Sequence, residues 1–486
     1  MSLIVAGERS GVGKTTITLA LLAFLSQQNK TIQSFKVGPD YIDPMFHQAL
    51  TRIPARNLDP VLTSPEYVKS CFWRHSQRAE YVLVEGVMGL FDGVEFPLSS
   101  SRASSSELVA SYASTAHVCK LLKISVLLVL DCSSLSGSIA AIAYGYSNLD
   151  PQVKIAGVVL NRVGSDRHLE LLKNALQPLN LPILGVLRRD DKITIPDRHL
   201  GLIPTAELTQ LSDIFDQLAH IGKTCFDWEQ LLPLLESKSN KSKVKSPKGY
   251  RDPFQKSKVI SKPLPIVRPP IKIAIARDRT FNFYYQDNLD IFSEWGAEIV
   301  YWSPLQDQKL PQDITGLYFG GGFPEIFAEQ LAANLPVLQQ LRQVIADGIP
   351  VYAECGGLMY LCDRLVDFNQ KSWPMVGAIP AITTMTSRLT LGYRQATNLH
   401  PTVLFDKKQQ DSPVIWGHEF HRSQMTPSPE CPIWKMKGVS PHSPILYDGW
   451  QIKQIHASYL HLHFGEYKFL LQNFLQHCQN YRDRLA

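Results

Sequence analysis

The chain of 486 residues is 44% hydrophobic and 19% charged, ordinary values for a globular protein but too long for one hydrophobic core, so two or three domains are expected. Its net charge of +5 is unevenly placed: residues 236–270 hold eight Lys and two Arg against one Glu and one Asp, leaving 39 basic and 42 acidic residues elsewhere, a net −3. A mildly acidic folded part argues against a nucleic-acid partner.

In chain order, the apolar run Leu3 to Ala6 predicts a buried strand, and Ile17, Leu21, Leu22 and Leu25 recur at helical spacing over Lys14 to Gln28. Between them lies Ser10-Gly11-Val12-Gly13-Lys14-Thr15-Thr16. The strict G-x-x-x-x-G-K-[ST] pattern is missed by one residue, because Gly7 lies six positions before Gly13 and Glu8 takes the expected glycine place. The physics survives: Gly11 and Gly13 let backbone N–H groups turn toward phosphate oxygens, Lys14 reaches the β and γ phosphates, and Thr15 ligates Mg²⁺, with Thr16 beginning the helix beside them. ATP and Mg²⁺ are therefore the expected nucleotide and metal.

The stretch Lys36-Val-Gly-Pro-Asp40-Tyr41-Ile42-Asp43-Pro44 ends another predicted strand and offers a cation and carboxylates near the same sheet edge, among them Asp40 as a metal candidate. The strand Tyr81 to Val84 delivers Glu85, the principal further Mg²⁺ candidate, and Asp92-Gly93 reads as a turn. The Ser-rich patch 99–106 predicts a mobile surface loop. Strands at Ser125 to Leu130, Ile155 to Leu160 and Ile183 to Leu187, with a helix over 166–177, complete a doubly wound, mainly parallel α/β sheet. Ile124 to Leu130, the most apolar run, is far too short to cross a bilayer, so no membrane partner is expected.

Lys, Ser and Pro then dominate to Pro270 and predict a linker over 236–270, separating domains at 1–235 and 271–486. Beyond it a second α/β series is expected: strand Ile271 to Ala276, helix 287–295, strands Glu298 to Tyr301 and Gly316 to Phe319, helix 325–347 and strand Pro350 to Ala353. Cys355 follows that strand and precedes Gly356-Gly357 and a helical run, a sharp turn that exposes a nucleophile. The N–H of Gly356, with Gly321 and Gly322 after a neighbouring strand, could form an oxyanion hole. The other cysteines are scattered without a C-x-x-C pair, as reduced thiols of a cytoplasmic protein are. His456, His461 and His463 are all available as the base, and spacing alone does not choose. His418-Glu-Phe-His421 lacks zinc-protease spacing.

As an ordered set, these motifs resemble the cobyrinic acid a,c-diamide synthase family over nearly the whole chain. The resemblance rests on the phosphate loop, Lys36-Val-Gly-Pro-Asp-Tyr-Ile-Asp43, Val84-Glu-Gly-Val-Met-Gly-Leu-Phe-Asp-Gly93, Asn161-Arg162, Ala276-Arg-Asp-Arg-Thr-Phe-Asn-Phe-Tyr-Tyr285, Gly320-Gly-Gly-Phe-Pro-Glu325, Ala353-Glu-Cys-Gly-Gly357, Gly417-His-Glu-Phe-His421 and Ala457-Ser-Tyr-Leu-His-Leu-His-Phe464. It implies an N-terminal P-loop NTPase domain like dethiobiotin synthetase and a C-terminal class I glutamine amidotransferase-like domain. It further implies Cys355 as nucleophile and His461 as its base, Tyr41, Ile42, Glu85 and Asp92 around Mg²⁺ and the corrinoid carboxylates, and Asn161 near the adenine. Classical class I glutaminases carry a Glu two residues after that His, where His463 stands here, so a Cys-His pair without the usual third member is implied. The expected partners are cobyrinic acid or a related tetrapyrrole, ATP and glutamine; a homodimer is compatible. Nickel sirohydrochlorin is the rival substrate, and a partner-switching P-loop ATPase is the rival from another class.

Overall fold

The computed structural model describes residues 2–95, 112–189, 196–198, 201–208, 210–237, 270–406 and 413–485. The Ser-rich patch and nearly all of the expected linker lie outside the described residues. Among those described, the chain divides into two compact units, the first running to residue 237 and the second starting at residue 270, with residues 61–63 grouped in the second.

The first unit runs β1 (Leu3–Gly7), α1 (Lys14–Gln27), β2 (Ile32–Val37), α2 (Ile42–Thr51), β3 (Arg56–Leu58), α3 (Pro65–Ser76), β4 (Tyr81–Glu85), α4 (Thr115–Leu122), β5 (Ser125–Asp131), α5 (Ser138–Asn148), β6 (Ile155–Val163), α6 (Asp166–Leu176) and β7 (Ile183–Arg188). A two-residue ribbon, β8 (Asp197–Arg198) with β9 (Gly201–Leu202), and helices α7 (Leu211–Thr224) and α8 (Trp228–Leu235) follow. Strands β1 to β7 form one parallel sheet in the order β3-β2-β4-β1-β5-β6-β7. Leu3 to Ala6 are fully buried, as a parallel strand covered by helices on both faces requires. Strand β1 lies between β4 and β5, where the strand order reverses, so the loop after β1 opens at the switch point that such sheets use for ligands. The ends of α3 and α6 are set locally: Ser64 and Ser165 accept hydrogen bonds from the N–H groups of Tyr67 and His168.

The second unit contains β10 (Ile271–Ala276), β11 (Phe281–Phe283), α9 (Gln286–Glu294), β12 (Ala297–Trp302), β13 (Gly316–Phe319), β14 (Gly321–Gly322), α10 (Ala328–Ala333), α11 (Leu335–Ala346), β15 (Val351–Glu354) and α12 (Gly356–Leu361). After these come β16 (Cys362–Val366), β17 (Ser372–Pro374), β18 (Ile379–Asn398), β19 (Ile415–Thr426), β20 (Trp434–Gly438), β21 (Ile445–Asp448), β22 (Trp450–Ile452), β23 (Ile455–Ser458), β24 (His461–Leu462) and α13 (Lys468–Leu485). One sheet has the order β12-β10-β13-β15-β23-β22, parallel apart from β22.

Two features depart from the sequence reading. The helix expected over 325–347 is two helices, because Asn334 has φ −82° and ψ 60° and its Nδ2 donates to the carbonyls of Pro304 and Asp307, both at 2.8 Å. Pro336 then occupies the first turn of α11, where its missing N–H costs nothing. The second is a whole additional sheet, order β17-β16-β18-β19-β24 with β20 and β21 attached, centred on the long β18–β19 antiparallel pair. Its Thr-, Ser- and Arg-rich middle gives no strong apolar alternation to read. No helix among the described residues is long and apolar enough to cross a membrane.

Candidate active sites

In the first unit, the loop from β1 to α1 turns on Gly11 (φ 77°) and Gly13 (φ 99°) and delivers Lys14, Thr15 and Thr16 at the start of α1. Asn161, at the end of β6, donates from Nδ2 to the Val12 carbonyl at 2.8 Å and so braces the loop whose adenine it is expected to approach. A Cβ on Gly13 would stand 2.4 Å from that same Nδ2. Gly13→Ala thus meets both a left-handed backbone and a collision; with strain of about 1–3 kcal/mol, ATP affinity is expected to fall about tenfold or more, read by titration with a fluorescent ATP analogue.

Lys14 Nζ donates to the Arg9 carbonyl at 3.1 Å, and burial together with neighbouring Lys36 lowers its pKa to about 8 against the pull of Glu85, Asp43 and Asp92. Incoming phosphate would restore its charge. Thr15 Oγ1 donates to Glu85 Oε1 at 2.6 Å and lies 3.4 Å from Asp43 Oδ2. The fully buried Glu85 also accepts from Lys36 Nζ at 2.8 Å and meets His47 Nε2 at 2.7 Å. Burial opposes its ionisation, yet Lys36 and His47 hold its carboxyl well below the usual range. Lys36 Nζ sits 2.5 Å from Asp43 and 3.8 Å from Asp40, so these carboxylates keep its ammonium charged despite burial.

The two carboxylates of this stretch are placed differently. Asp40 Oδ1 accepts the N–H groups of Ile42 and Asp43 at 2.8 and 3.1 Å, which makes it a cap for the start of α2. Asp43, one position into α2, is the carboxylate that reaches Thr15. The sequence reading missed Asp43 in this role and missed His47; their i, i+4 spacing on α2 was the available signal. Tyr41 and Ile42 are both buried at the start of α2, and Asp92 Oδ2 accepts Gly89 N–H at 2.8 Å, shaping the turn after β4. At the outer side, Asp131 at the end of β5 binds Arg9 and Arg162 at 2.7 and 2.6 Å. Arg162, at φ 60°, also donates to the Gly11 carbonyl at 3.1 Å. Glu8, half-buried, has its carboxyl pushed up by burial, with Arg9 pulling the other way.

In the second unit, three neighbouring parallel strands end at one place: β13 leads to Gly321-Gly322, β15 to Cys355 and β23 to His461. Cys355 has φ 48° and ψ −103°, a strained conformation for a residue with a side chain, and its N–H donates to the Ser458 carbonyl at 2.8 Å. Absent side chains bring the parts together. A Cβ on Gly356 would stand 2.9 Å from the Gly322 nitrogen, and one on Gly321 would stand 2.5 Å from His461 Cε1. The expected nucleophile, base and oxyanion donors Gly321, Gly322 and Gly356 therefore converge. Burial, with Glu325, Glu354 and Glu419 nearby, pushes the Cys355 thiol up, while the Gly356 N–H works the other way. A thiol so placed needs a cationic partner to ionise.

The three histidines now separate. His456 is fully buried, its Nδ1 2.9 Å from Thr402 Oγ1, and burial lowers its pKa to about 3. His463 Nε2 lies 3.6 Å from Asp287, and its Nδ1 accepts from Gly465 N–H at 3.1 Å. His461 Nδ1 lies 3.7 Å from Glu354 Oε2. His418 faces His461 across β19 and β24, and burial followed by the His461 charge lowers its pKa to about 3, so it remains neutral. The choice among histidines rests on chain path: β23 ends at Ser458 and β24 begins at His461, so alternation along one strand does not connect them.

Residues 3–203 match the model of the CobQ/CobB/MinD/ParA nucleotide binding domain, and residues 272–469 match that of the CobB/CobQ-like glutamine amidotransferase domain. Proteins named cobyrinate a,c-diamide synthase are similar over their full lengths. One from Synechococcus is 54% identical over 99% of this chain and 98% of its own, one from Synechocystis 49% over 100% and 95%, and one from Priestia megaterium 38% over 98% and 97%. With a phosphate loop opening at the switch point of one sheet and a strained cysteine at the strand ends of another, the chain belongs to the cobyrinate a,c-diamide synthase family, glutamine-dependent amidotransferases with a nucleotide-binding domain.

Proposed function

We propose that this protein is an ATP-dependent ligase that amidates the a and c acetate carboxylates of cobyrinic acid, in cobalamin biosynthesis, with ammonia drawn from glutamine. The observation that carries the reading is the pairing, on one chain similar end to end to cobyrinate a,c-diamide synthases, of the Lys14–Thr15–Glu85 phosphate site with the Cys355–His461 thiol site.

At the thiol site, the Cys355 thiolate attacks the glutamine amide carbon. The oxyanion is taken by N–H groups of the Gly321-Gly322 and Gly356 segments, and His461 returns a proton to the departing ammonia. Water then cleaves the glutamyl thioester, releasing glutamate and restoring the thiol. At the phosphate site a substrate carboxylate oxygen attacks the γ-phosphorus of ATP and ADP leaves; ammonia attacks the resulting acyl phosphate, and phosphate departs with formation of the amide. Lys14 holds the β and γ phosphates, Gly11, Gly13, Thr15 and Thr16 line them with N–H groups, and Asn161 braces the loop near the adenine.

The all-oxygen set of Thr15, Glu85 and Asp43 fits Mg²⁺, a hard cation, and these residues would hold it, with Asp40 beside them. Held by these residues, the ion would supply positive charge to offset the charge of the ATP phosphates. Tyr41, Ile42 and Asp92, near the same sheet edge, are assigned to the tetrapyrrole. The net −3 outside the basic segment disfavours a nucleic-acid partner, the short apolar runs disfavour a membrane partner, and the scattered cysteines without a C-x-x-C pair favour a cytoplasmic enzyme.

The test is incubation with ATP, Mg²⁺, glutamine and cobyrinic acid, followed by the mass of the corrinoid. Two acid-to-amide exchanges, each lowering the mass by about one unit, are expected as two thioester cycles deliver two ammonia molecules. An unchanged corrinoid with amidated nickel sirohydrochlorin would move the substrate to that tetrapyrrole. No product from either, with ATP-driven dimerisation, would replace the ligase by a partner-switching ATPase.

A further inference from the structure

Glu354 immediately precedes the nucleophile and is 1% exposed. Tyr318 and Tyr352 are register partners on β13 and β15, and Glu354 lies two residues beyond Tyr352, so all three side chains occupy one face of the sheet. Both hydroxyls donate to the carboxylate, Tyr318 to Oε2 at 3.3 Å and Tyr352 to Oε1 in a short contact. Oε1 also accepts the N–H of Leu462 at 3.0 Å, the residue that follows His461. Oε2 lies 3.7 Å from His461 Nδ1. The carboxylate thus grips the backbone of β24 with one oxygen and faces its imidazole with the other. Among the described residues, His461 is the basic group within ion-pair distance of Glu354. A carboxylate held in this way by two hydroxyls and a backbone N–H is fixed opposite the imidazole.

We infer that Glu354 is the positioning residue of the thiol site, orienting His461 and stabilising its imidazolium, and so supplies from the strand before the nucleophile the acid that His463 displaces from its usual place. The inference rests on the reading of Cys355 and His461 as a thiol glutaminase. Glu354 acts at two points with opposite signs. Through His461 it favours the thiolate–imidazolium pair, and directly, as a nearby negative charge, it opposes the thiolate.

The experiment is the pH dependence of iodoacetamide alkylation of Cys355, followed by mass spectrometry of its peptide, in wild type, Glu354→Gln, His461→Asn and the double variant. The glutamine keeps an acceptor for Leu462 N–H and removes the charge. In the wild-type background Glu354→Gln is expected to raise the apparent thiol pKa by about one unit and slow alkylation at neutral pH about tenfold; in His461→Asn the same change should leave the rate unchanged or raise it. Glutaminase kcat should fall about 10²-fold or more with KM little changed. Glu354→Gln with wild-type alkylation and glutaminase, or with equal slowing in both backgrounds, overturns the inference while leaving the function intact. A wild type without glutaminase activity, or one that keeps it in Cys355→Ala, overturns the function itself. If Glu354→Gln does not fold, Glu354→Asp reads the same quantity: about threefold slower alkylation is expected only where His461 is present, and wild-type rates in both backgrounds overturn the inference.

Discussion

Cys355→Ala is expected to abolish glutamine-dependent amidation, by at least about 10⁴-fold in kcat, because a step that proceeds through a thioester has no alternative route once the sulfur is gone. The same protein supplied with ammonium chloride at alkaline pH should still amidate its substrate, since the phosphate site lies in the other unit and shares no residue with the thiol site. Free ammonia is mostly protonated near neutrality, so rescue should rise with pH toward the ammonium pKa. Folding should be little affected, because the substitution removes one buried sulfur atom and only its long thiol contact to the Phe420 carbonyl at 3.8 Å; the donor to Ser458 is the backbone N–H, which alanine retains. Alanine would still hold the strained φ of 48°, so any stability change should be small. Product formation with each nitrogen source, in parallel, is the measurement. Equal loss with both sources would place the effect on folding or on the synthetase reaction, and full retention with glutamine would remove Cys355 from the chemistry.

Lys36→Met is expected to have the largest effect on stability. The ammonium lies within 4 Å of Asp40, Asp43 and Glu85, and Lys36, Asp43 and Glu85 are all buried. Removing one partner of a buried ion cluster leaves the others uncompensated, a loss of about 3–5 kcal/mol, visible as a lowered calorimetric transition of the first unit. The dependence on pH has a definite sign. In the wild type, the Glu85 carboxyl is held below its ordinary value of 4.5, so its charge contributes stability above that value, lost as pH falls through the lower folded pKa. Burial and Asp40 already push the Asp43 carboxyl up in the wild type, against the pull of Lys36; without Lys36, burial raises Glu85 as well and Asp43 further. Each then costs stability once the unfolded form ionises. The deficit of the variant should therefore widen between pH 4 and 7 and narrow in acid. Magnesium chloride should recover part of it by supplying the missing positive charge, more strongly than it shifts the wild type. A deficit independent of both pH and magnesium would show that the lysine stem, and not its charge, holds the cluster.

Much of this architecture is legible in the sequence because it depends on local chemistry. The run Leu3 to Ala6, the small residues Gly11 and Gly13, and Lys14 at a helix start specify a strand, a turn and a helix by burial, backbone freedom and periodicity alone. Likewise, Val351 to Ala353 followed by Cys355 and paired glycines announced a nucleophile at a strand end. The additional sheet was not legible, since β18 draws its stability from pairing with β19 across the fold, and its exposed Thr and Arg carry no apolar period.

The residues that act on other residues were the hardest to read. Asp40 and Asp43 stand three apart in sequence and look equivalent, yet the start of α2 turns Asp40 into a cap and points Asp43 at Thr15. Glu354 offered one clue, an acid closing an otherwise apolar strand, but nothing local says that it faces His461 more than a hundred positions away. The two expected chemistries, polyphosphate binding and a thiol nucleophile, can be read from short stretches because within each the backbone and side chains act together. Which acid reaches Thr15, which histidine lies beside Gly321 and which carboxylate faces that histidine are set by the folded chain and not by any short stretch of it. Those choices depend on parallel strands ending side by side, and on whether burial leaves a charge with a partner.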